Sequence, residues 1–330
     1  FPYRIGAYLQ DKMEFKGLIA NMGLRLDYSN SNGIYYDLAR YSNFYKASYG
    51  NLIETEAPTK TAKAAWHISP RLGVSHPITD NSKLYFNYGH FCQEPASSYR
   101  FRIQRESNGL VTSIGNPNLL FEKTIAYELG FSQNLFNTYL LNIAAYYKDV
   151  TDQPGWIYYE NINTSVQYYK AANNNYEDIR GFELTLTKRM GDWVSGFFNY
   201  TYEVRTLGYF GLLKYYEDPN KQRDYIRLTP YQERPHPQPY LRLNVNFHSP
   251  KDFGPTWLNF HPLAQWNINL LAFWKAGRYE TYNPHSIPGV VDNVQWKDRY
   301  NVDLRITKYF KVERYDLQSV SYTHLTLPTN

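Results

Sequence analysis

Hydrophobic and polar residues alternate with period two along much of the chain, and the 3.6-residue period of an amphipathic helix is hard to find. In 181–187, Phe182, Leu184 and Leu186 alternate with Glu183, Thr185 and Thr187. In 300–307, Tyr300, Val302, Leu304 and Ile306 alternate with Asn301, Asp303, Arg305 and Thr307. Residues 240–247 set Leu241, Leu243, Val245 and Phe247 against Arg242, Asn244 and Asn246. Residues 18–28 set Leu18, Ala20, Met22, Leu24, Leu26 and Tyr28 against Asn21, Arg25 and Asp27. Looser alternation near 3–11, 64–76, 83–91, 123–133, 138–148, 193–204 and 265–277 brings the expectation to about eleven strands.

The strand lengths carry information of their own. Many segments run roughly 9 to 12 residues, against about 5 or 6 in a soluble sheet. At about 3.3 Å per residue and a tilt near 45°, ten residues cross roughly the 25 Å apolar band of an outer membrane. The connections alternate as well. Short links fall near 12–16, 79–82, 134–137 and 191–192, and long polar stretches occupy 30–61, 92–122, 149–178, 205–238 and 279–297. In an up-and-down barrel every second connection emerges on the same side, with short periplasmic turns and long extracellular loops. The link 250–264 is longer than its side allows. A Greek-key sandwich has no reason to alternate in this way.

An antiparallel, up-and-down transmembrane β-barrel of all-β class is therefore the expected fold. If the apolar sets face lipid, then Arg25, Asp27, Glu183, Arg242, Asp303 and Arg305 face the lumen. A charge on the lipid face would cost about 2–4 kcal/mol at the midplane. Aromatic pairs near strand ends (Tyr146 with Tyr147, Tyr200 with Tyr202, Trp266 with Trp274) suit interfacial girdles.

Composition sharpens this picture. Apolar residues make up 43% of the 330 positions, yet the mean hydropathy is −0.60, because 34 of them are tyrosines. Amphipathic rings are favoured where lipid meets water. A secreted, glycan-binding β-protein shares that composition and stays as an alternative. The net charge of +5 is small for this length and does not imply a nucleic-acid partner. A single cysteine, Cys92, leaves no internal disulfide framework and no multi-cysteine metal site. No run of about 18 apolar residues exists to form a transmembrane helix. The chain opens on Phe1 with neither an initiating Met nor a leader, so an upstream segment is expected.

Motifs of catalysis are missing: there is no nucleophile elbow, P-loop, dinucleotide fingerprint or HExxH. His67, His76, His90, His236, His248, His261, His285 and His324 are scattered without ligand spacing. No enzyme activity, cofactor or metal site is expected.

Several segments resemble the C-terminal barrel of TonB-dependent outer-membrane receptors, especially the tyrosine-rich Bacteroidetes kind. They are Tyr8-Leu9-Gln10-Asp11-Lys12 followed by GLIANMGLRLDY at 17–28, and KLYFNYGHFCQE at 83–94. GNPNL at 115–119, then Glu122-Lys123-Thr124 and Tyr127-Glu128-Leu129-Gly130, is similar to that family's return from a large loop. Arg180-Gly181-Phe182-Glu183 with FNYTY at 198–202 is similar to its next hairpin. The resemblance implies a 22-stranded barrel, of which this chain would be about half, in the bacterial outer membrane. It also implies an N-terminal plug and nutrient import driven by an inner-membrane TonB complex, contacted through a region missing here. Partners would include outer-membrane lipid and lipopolysaccharide, and a surface lipoprotein is compatible. The barrel is expected over 1–318, with 319–330 (SVSYTHLTLPTN) as a truncated or non-native tail lacking a final aromatic residue.

Candidate ligand contacts lie in the long connections. Arg100, Arg102 and Arg105 sit at near-alternate positions, suited either to an anionic ligand or to lipopolysaccharide and solvent at the rim. Tyr158 and Tyr159, with Tyr168 and Tyr169, either stack on sugar rings or pack their loop. A passive porin of the same architecture is the nearest functional alternative to a TonB-dependent importer of a siderophore or glycan.

Overall fold

A computed structural model describes residues 1–189, 191–228, 235–256, 261–285, 287, 289–312 and 315–325. Twelve antiparallel strands, each paired with the next in sequence, form one sheet. They are β1 (Tyr3–Phe15), β2 (Leu18–Asn30), β3 (Ala65–Thr79), β4 (Ser82–Gln93), β5 (Glu122–Leu135), β6 (Tyr139–Glu160), β7 (Gln167–Lys188), β8 (Val194–Tyr209), β9 (Tyr240–His248), β10 (Trp266–Lys275), β11 (Arg299–Val312) and β12 (Tyr315–Leu325). Among the described residues β1 and β12 are the two edges and do not pair with each other, so the barrel wall is open.

The strand beyond the expected eleven is β12. It pairs with β11 from Val312↔Tyr315 to Val302↔Leu325, so the boundary expected at 318 falls inside a paired strand. The first turn also moves. β1 and β2 stay paired to Phe15↔Leu18, which leaves Lys16 (φ 48°) and Gly17 (φ 84°) as a two-residue turn. Two successive positive φ values are the hairpin geometry that matches strand twist. Asp80 with Asn81, 136–138 and 189–193 are also short links, as is 313–314; 190 and 313–314 lie outside the described residues. The link between β9 and β10 is long here too, running from 249 to 265, with 257–260 outside the described residues.

Register sorts the side chains into two kinds of row. Met13, Ala20, Val74, Phe86, Leu129, Ala145, Phe182 and Tyr202 are successive cross-strand partners from β1 to β8. One position along, Lys12, Asn21, Gly73, Asn87, Glu128, Tyr146, Gly181 and Glu203 form the next row, on the opposite face. The pattern continues across the later strands: Leu186, Phe198, Leu243, Ala272 and Val302 lie beside Thr185, Asn199, Arg242, Phe273 and Asn301. The first face leaves Ile68, Leu129 and Phe182 exposed, as a lipid-facing surface requires. The second face holds all six charged residues expected in the lumen, with Arg25 bonded to Asp27 at 2.7 Å.

One aromatic expectation is corrected. Tyr146 belongs to the lumen row, where its hydroxyl donates to Glu203 Oε2 at 3.0 Å, reaching over Gly181. Tyr147, on the other face, is exposed as a girdle residue would be. Trp266 and Trp274 end β10, their indole N–H groups bonded to Pro262 O (2.8 Å) and Asp298 Oδ2 (3.0 Å). They stand eight positions apart, about 26 Å along the strand.

Expectation and structure differ most at 149–178. That stretch is not a loop: β6 and β7 run 22 residues each and stay paired to Glu160↔Gln167. Only 161–166 remains as a tip. Strands of that length reach about 70 Å, roughly twice what a tilted strand needs to cross the apolar band. Their upper halves therefore stand outside the bilayer. The register shifts between Val150, Gln153 and Pro154, where Asp152 takes φ 56°, mark the irregularity that made the sequence read as loop.

Glycines set where tyrosines lie. In the pair Tyr85↔Gly130 the ring occupies the space a Cβ would need, and at Gly181 the Tyr202 carbonyl does so first, with the Tyr146 ring beside it. At Gly130 the obstructing atoms are all from the Tyr85 ring. Gly130→Ala should therefore lower stability by about 1–3 kcal/mol, and adding Tyr85→Ser should recover most of it. Detergent-resistant, heat-modifiable gel migration of the full-length protein measures both; equal loss in the single and double variants would contradict the packing.

Candidate ligand-capture site

The core of the described residues is not between the strands but above them, on the long-loop side. Tyr45, Ile53, Val111, Ile114, Tyr159, Val166 and Tyr168 are buried there as one cluster. The upper halves of β6 and β7 supply its platform. Val111–Ile114 joins β7 in parallel (Lys170↔Ile114), and Lys214–Tyr216 joins β6 in parallel (Tyr159↔Tyr215). The connection 31–64 lays its hairpin (Ile34–Tyr36 with Thr59–Thr61) and a helical segment across this platform.

A column of tyrosines ties the pieces together. Tyr215 stacks on Tyr159 (5.3 Å between centroids, 10°), Tyr159 on Tyr168 (5.3 Å, 19°), and Tyr168 on Tyr45 (3.9 Å, 15°). The Arg40 guanidinium caps the column 5.0 Å from the Tyr215 ring. Tyr168 donates its hydroxyl to Arg40 O at 2.9 Å. Each such pair is worth about 0.5–1.5 kcal/mol beyond area burial, so the column joins two loops and one hairpin into a single dome. Burial pushes the Tyr45 hydroxyl up to about 12, with its hydrogen bond to Tyr168 acting in the opposite sense.

Ion pairs clasp the same pieces. Arg100 is buried and pairs with Glu94, which also accepts from Ser29 Oγ (2.5 Å) and Arg4 (3.0 Å). Arg105 bonds Glu54 at 2.5 Å and Gly50 O at 2.9 Å, tying 94–121 to 31–64. Burial alone would raise the Glu54 carboxyl, but the bond from Arg105 helps hold it below the ordinary value. Glu160 accepts from Tyr158 (2.7 Å) and pairs with Lys221 of the helix Pro219–Leu228.

Two hollows remain. Under the dome, a pocket of about 300 Å³ is lined by Tyr35, Tyr36, Arg100, Arg102, Asn116 and Lys170, among others. Below it, on the lumen face, Arg71, Asn87, Glu128, Tyr146 and Lys148 line a cavity of about 680 Å³. Gly23, Gly73 and Gly89 lie in its floor, where larger side chains would fill it. A group of three or more His, Cys, Asp or Glu residues placed to hold a metal is not found among the described residues.

Residues 3–327 match the family described as TonB dependent receptor-like, beta-barrel. The chain belongs to that family. No curated protein matches the sequence. Solved structures share the fold. The FrpB iron transporter of Neisseria meningitidis (F3-3 variant) is 14% identical, with a TM-score of 0.54, over 93% of this chain and 38% of its own. The ferric enterobactin receptor of Pseudomonas aeruginosa, in complex with enterobactin, is 13% identical, with a TM-score of 0.57, over 97% and 39%. The hemophore receptor HasR of Serratia marcescens, bound to its hemophore and heme, is 15% identical, with a TM-score of 0.53, over 94% and 46%. The chain thus spans less than half the length of the structures it matches. As a TonB-dependent receptor barrel it resides in the bacterial outer membrane.

On this receptor the residues singled out from sequence take different parts. Arg100 and Arg105 clasp loops, whereas Arg102 is exposed and its side chain bonds Gln104 (2.6 Å). Tyr159 is buried in the column with Tyr168; Tyr158 and Tyr169 pack against each other at 5.1 Å, and Tyr169 is exposed. Sequence reasoning missed Lys170 and Tyr45. Lys170 follows the flagged Tyr168-Tyr169 pair, but only the parallel pairing to Ile114 brings it beside Arg102.

Two outcomes follow from the column. Tyr168→Ala should make the segment 31–64 cleavable by protease added to intact cells while the barrel still migrates as a folded species. Cleavage no faster than in the unaltered receptor would contradict the column's role. With the Tyr45 pKa raised above its unfolded value, its contribution is fully present below about pH 10 and is lost as pH rises through about 12. Tyrosinate absorbance should show the dome's loosening in that window, and loosening already at neutral pH would contradict it.

Proposed function

We propose that this receptor imports a scarce nutrient, of siderophore or glycan type, with energy from the TonB complex reached through a region N-terminal to this chain. The observation that carries the reading is a prefolded dome of extracellular segments above a polar lumen wall, with one hollow in each. A solute held under the dome would then pass along the lumen face when a plug rearranges. The iron transporter, the ferric enterobactin receptor and the hemophore receptor that share the fold support import of a scarce solute. Lipid, lipopolysaccharide and a surface lipoprotein fit as neighbours of the exposed aromatic rim.

Removing 95–121 from the full-length receptor should abolish uptake while leaving outer-membrane insertion and heat-modifiable migration intact. Disabling the TonB complex should abolish uptake by the unaltered receptor. Undiminished uptake in the deletion variant would refute capture by the dome; undiminished uptake without TonB would leave a passive channel.

A further inference from the structure

We infer that the pocket under the dome is an oxyanion site, in which Arg102 and Lys170 receive a carboxylate or phosphate group of the solute. The polarity of the lining carries this. None of the lining residues is an Asp or Glu, while Arg100, Arg102 and Lys170 all contribute. Arg100 is committed to Glu94 through a terminal nitrogen, and its buried Nε has no acceptor. Neither Arg102 nor Lys170 has an ion pair among the described residues. Asp37, an acid within electrostatic reach of Lys170, is paired with Lys60 at 2.6 Å.

The neutral groups point the same way. Asn116 Oδ1 accepts from the Asn118 backbone N–H (3.0 Å), and Asn118 Oδ1 accepts from the Lys63 backbone N–H (2.8 Å). With their carbonyl ends occupied, both amides offer N–H donors. Arg102 spends one terminal nitrogen on Gln104 Oε1 (2.6 Å) and keeps its other N–H groups. A hollow walled by cations and donors with no carboxylate in its lining is completed by an anion with several oxygens through charge-assisted hydrogen bonds. At about 300 Å³ the hollow suits one anionic group with part of its carrier rather than a whole large solute.

That this anion belongs to an imported solute rests on the proposed function; the binding itself does not. The test uses purified full-length receptor in detergent at low salt, titrated calorimetrically with benzoate, its neutral counterpart benzamide, and inorganic phosphate. Saturable binding of benzoate or phosphate, with none of benzamide, is expected. Preference between the two anions tells a carboxylate source from a phosphate source. Arg102→Gln and Lys170→Gln should each weaken anion binding about ten-fold, whereas Arg223→Gln, on the exposed helix, should not. Heat-modifiable migration confirms that every variant is folded. Binding of benzamide equal to benzoate, failure of both anions to bind, or equal weakening by Arg223→Gln would overturn the site. Loss of uptake dependence on TonB, with anion binding intact, would overturn only the import reading.

Discussion

A backbone N–H or C=O left unpaired in hydrocarbon costs several kcal/mol, so a chain that crosses a bilayer with strands must pair each one with its neighbours. That constraint explains why each of the twelve strands pairs with the next in sequence. It also fixes the side chains, because a slip of one residue would exchange lipid and lumen faces along a whole strand. The rows that run from Met13 to Tyr202 and from Lys12 to Glu203 are the visible result. Glycines at 130 and 181 refine it by giving Tyr85 and Tyr146 room to lie across the neighbouring strand.

Outside the bilayer the constraint is different. Water satisfies exposed backbone, and burial of apolar side chains becomes the organising force. The buried cluster lies there, assembled from three segments far apart in sequence: Tyr45, Val111 and Tyr168 meet in it. Long connections over a barrel are commonly thought of as loose. Here β6 and β7 extend beyond the membrane as a platform, and the tyrosine column with the Glu94–Arg100 and Glu54–Arg105 pairs holds the rest to it. The dome holds the lining of the smaller hollow in place by these contacts, and a site already assembled lowers the ordering cost of binding.

Much of the wall was legible in the sequence because strand alternation is a local signal. Period two alone puts the charged residues from Arg25 to Arg305 on the face opposite the apolar rows, as the register has them. What was not legible depended on partners distant in the chain. The stretch 149–178 looked like a loop because its Asp and Asn residues mask the alternation; its strand character comes from pairing with each other and with segments near 113 and 215. Likewise, three arginines at near-alternate spacing looked equivalent, and only the positions of Glu94 and Glu54 separate Arg100 and Arg105 from Arg102. Strand β12 is not legible because its alternation is inverted: Val320, Tyr322 and His324 pair with Thr307, Arg305 and Asp303 on the lumen face, and Ser321 and Thr323 fall in the apolar row of Ile306 and Leu304.

The account stands or falls on the two faces of the wall. Spin labels placed singly at 183–187 of the full-length receptor, with Cys92 replaced by Ser and the protein in its outer membrane, would report each position's surroundings directly. Labels at 184 and 186 should collide preferentially with dissolved oxygen, and labels at 183, 185 and 187 with a polar, water-borne relaxant. Equal access of the polar relaxant to all five positions would show that this sheet does not face lipid and would contradict the barrel.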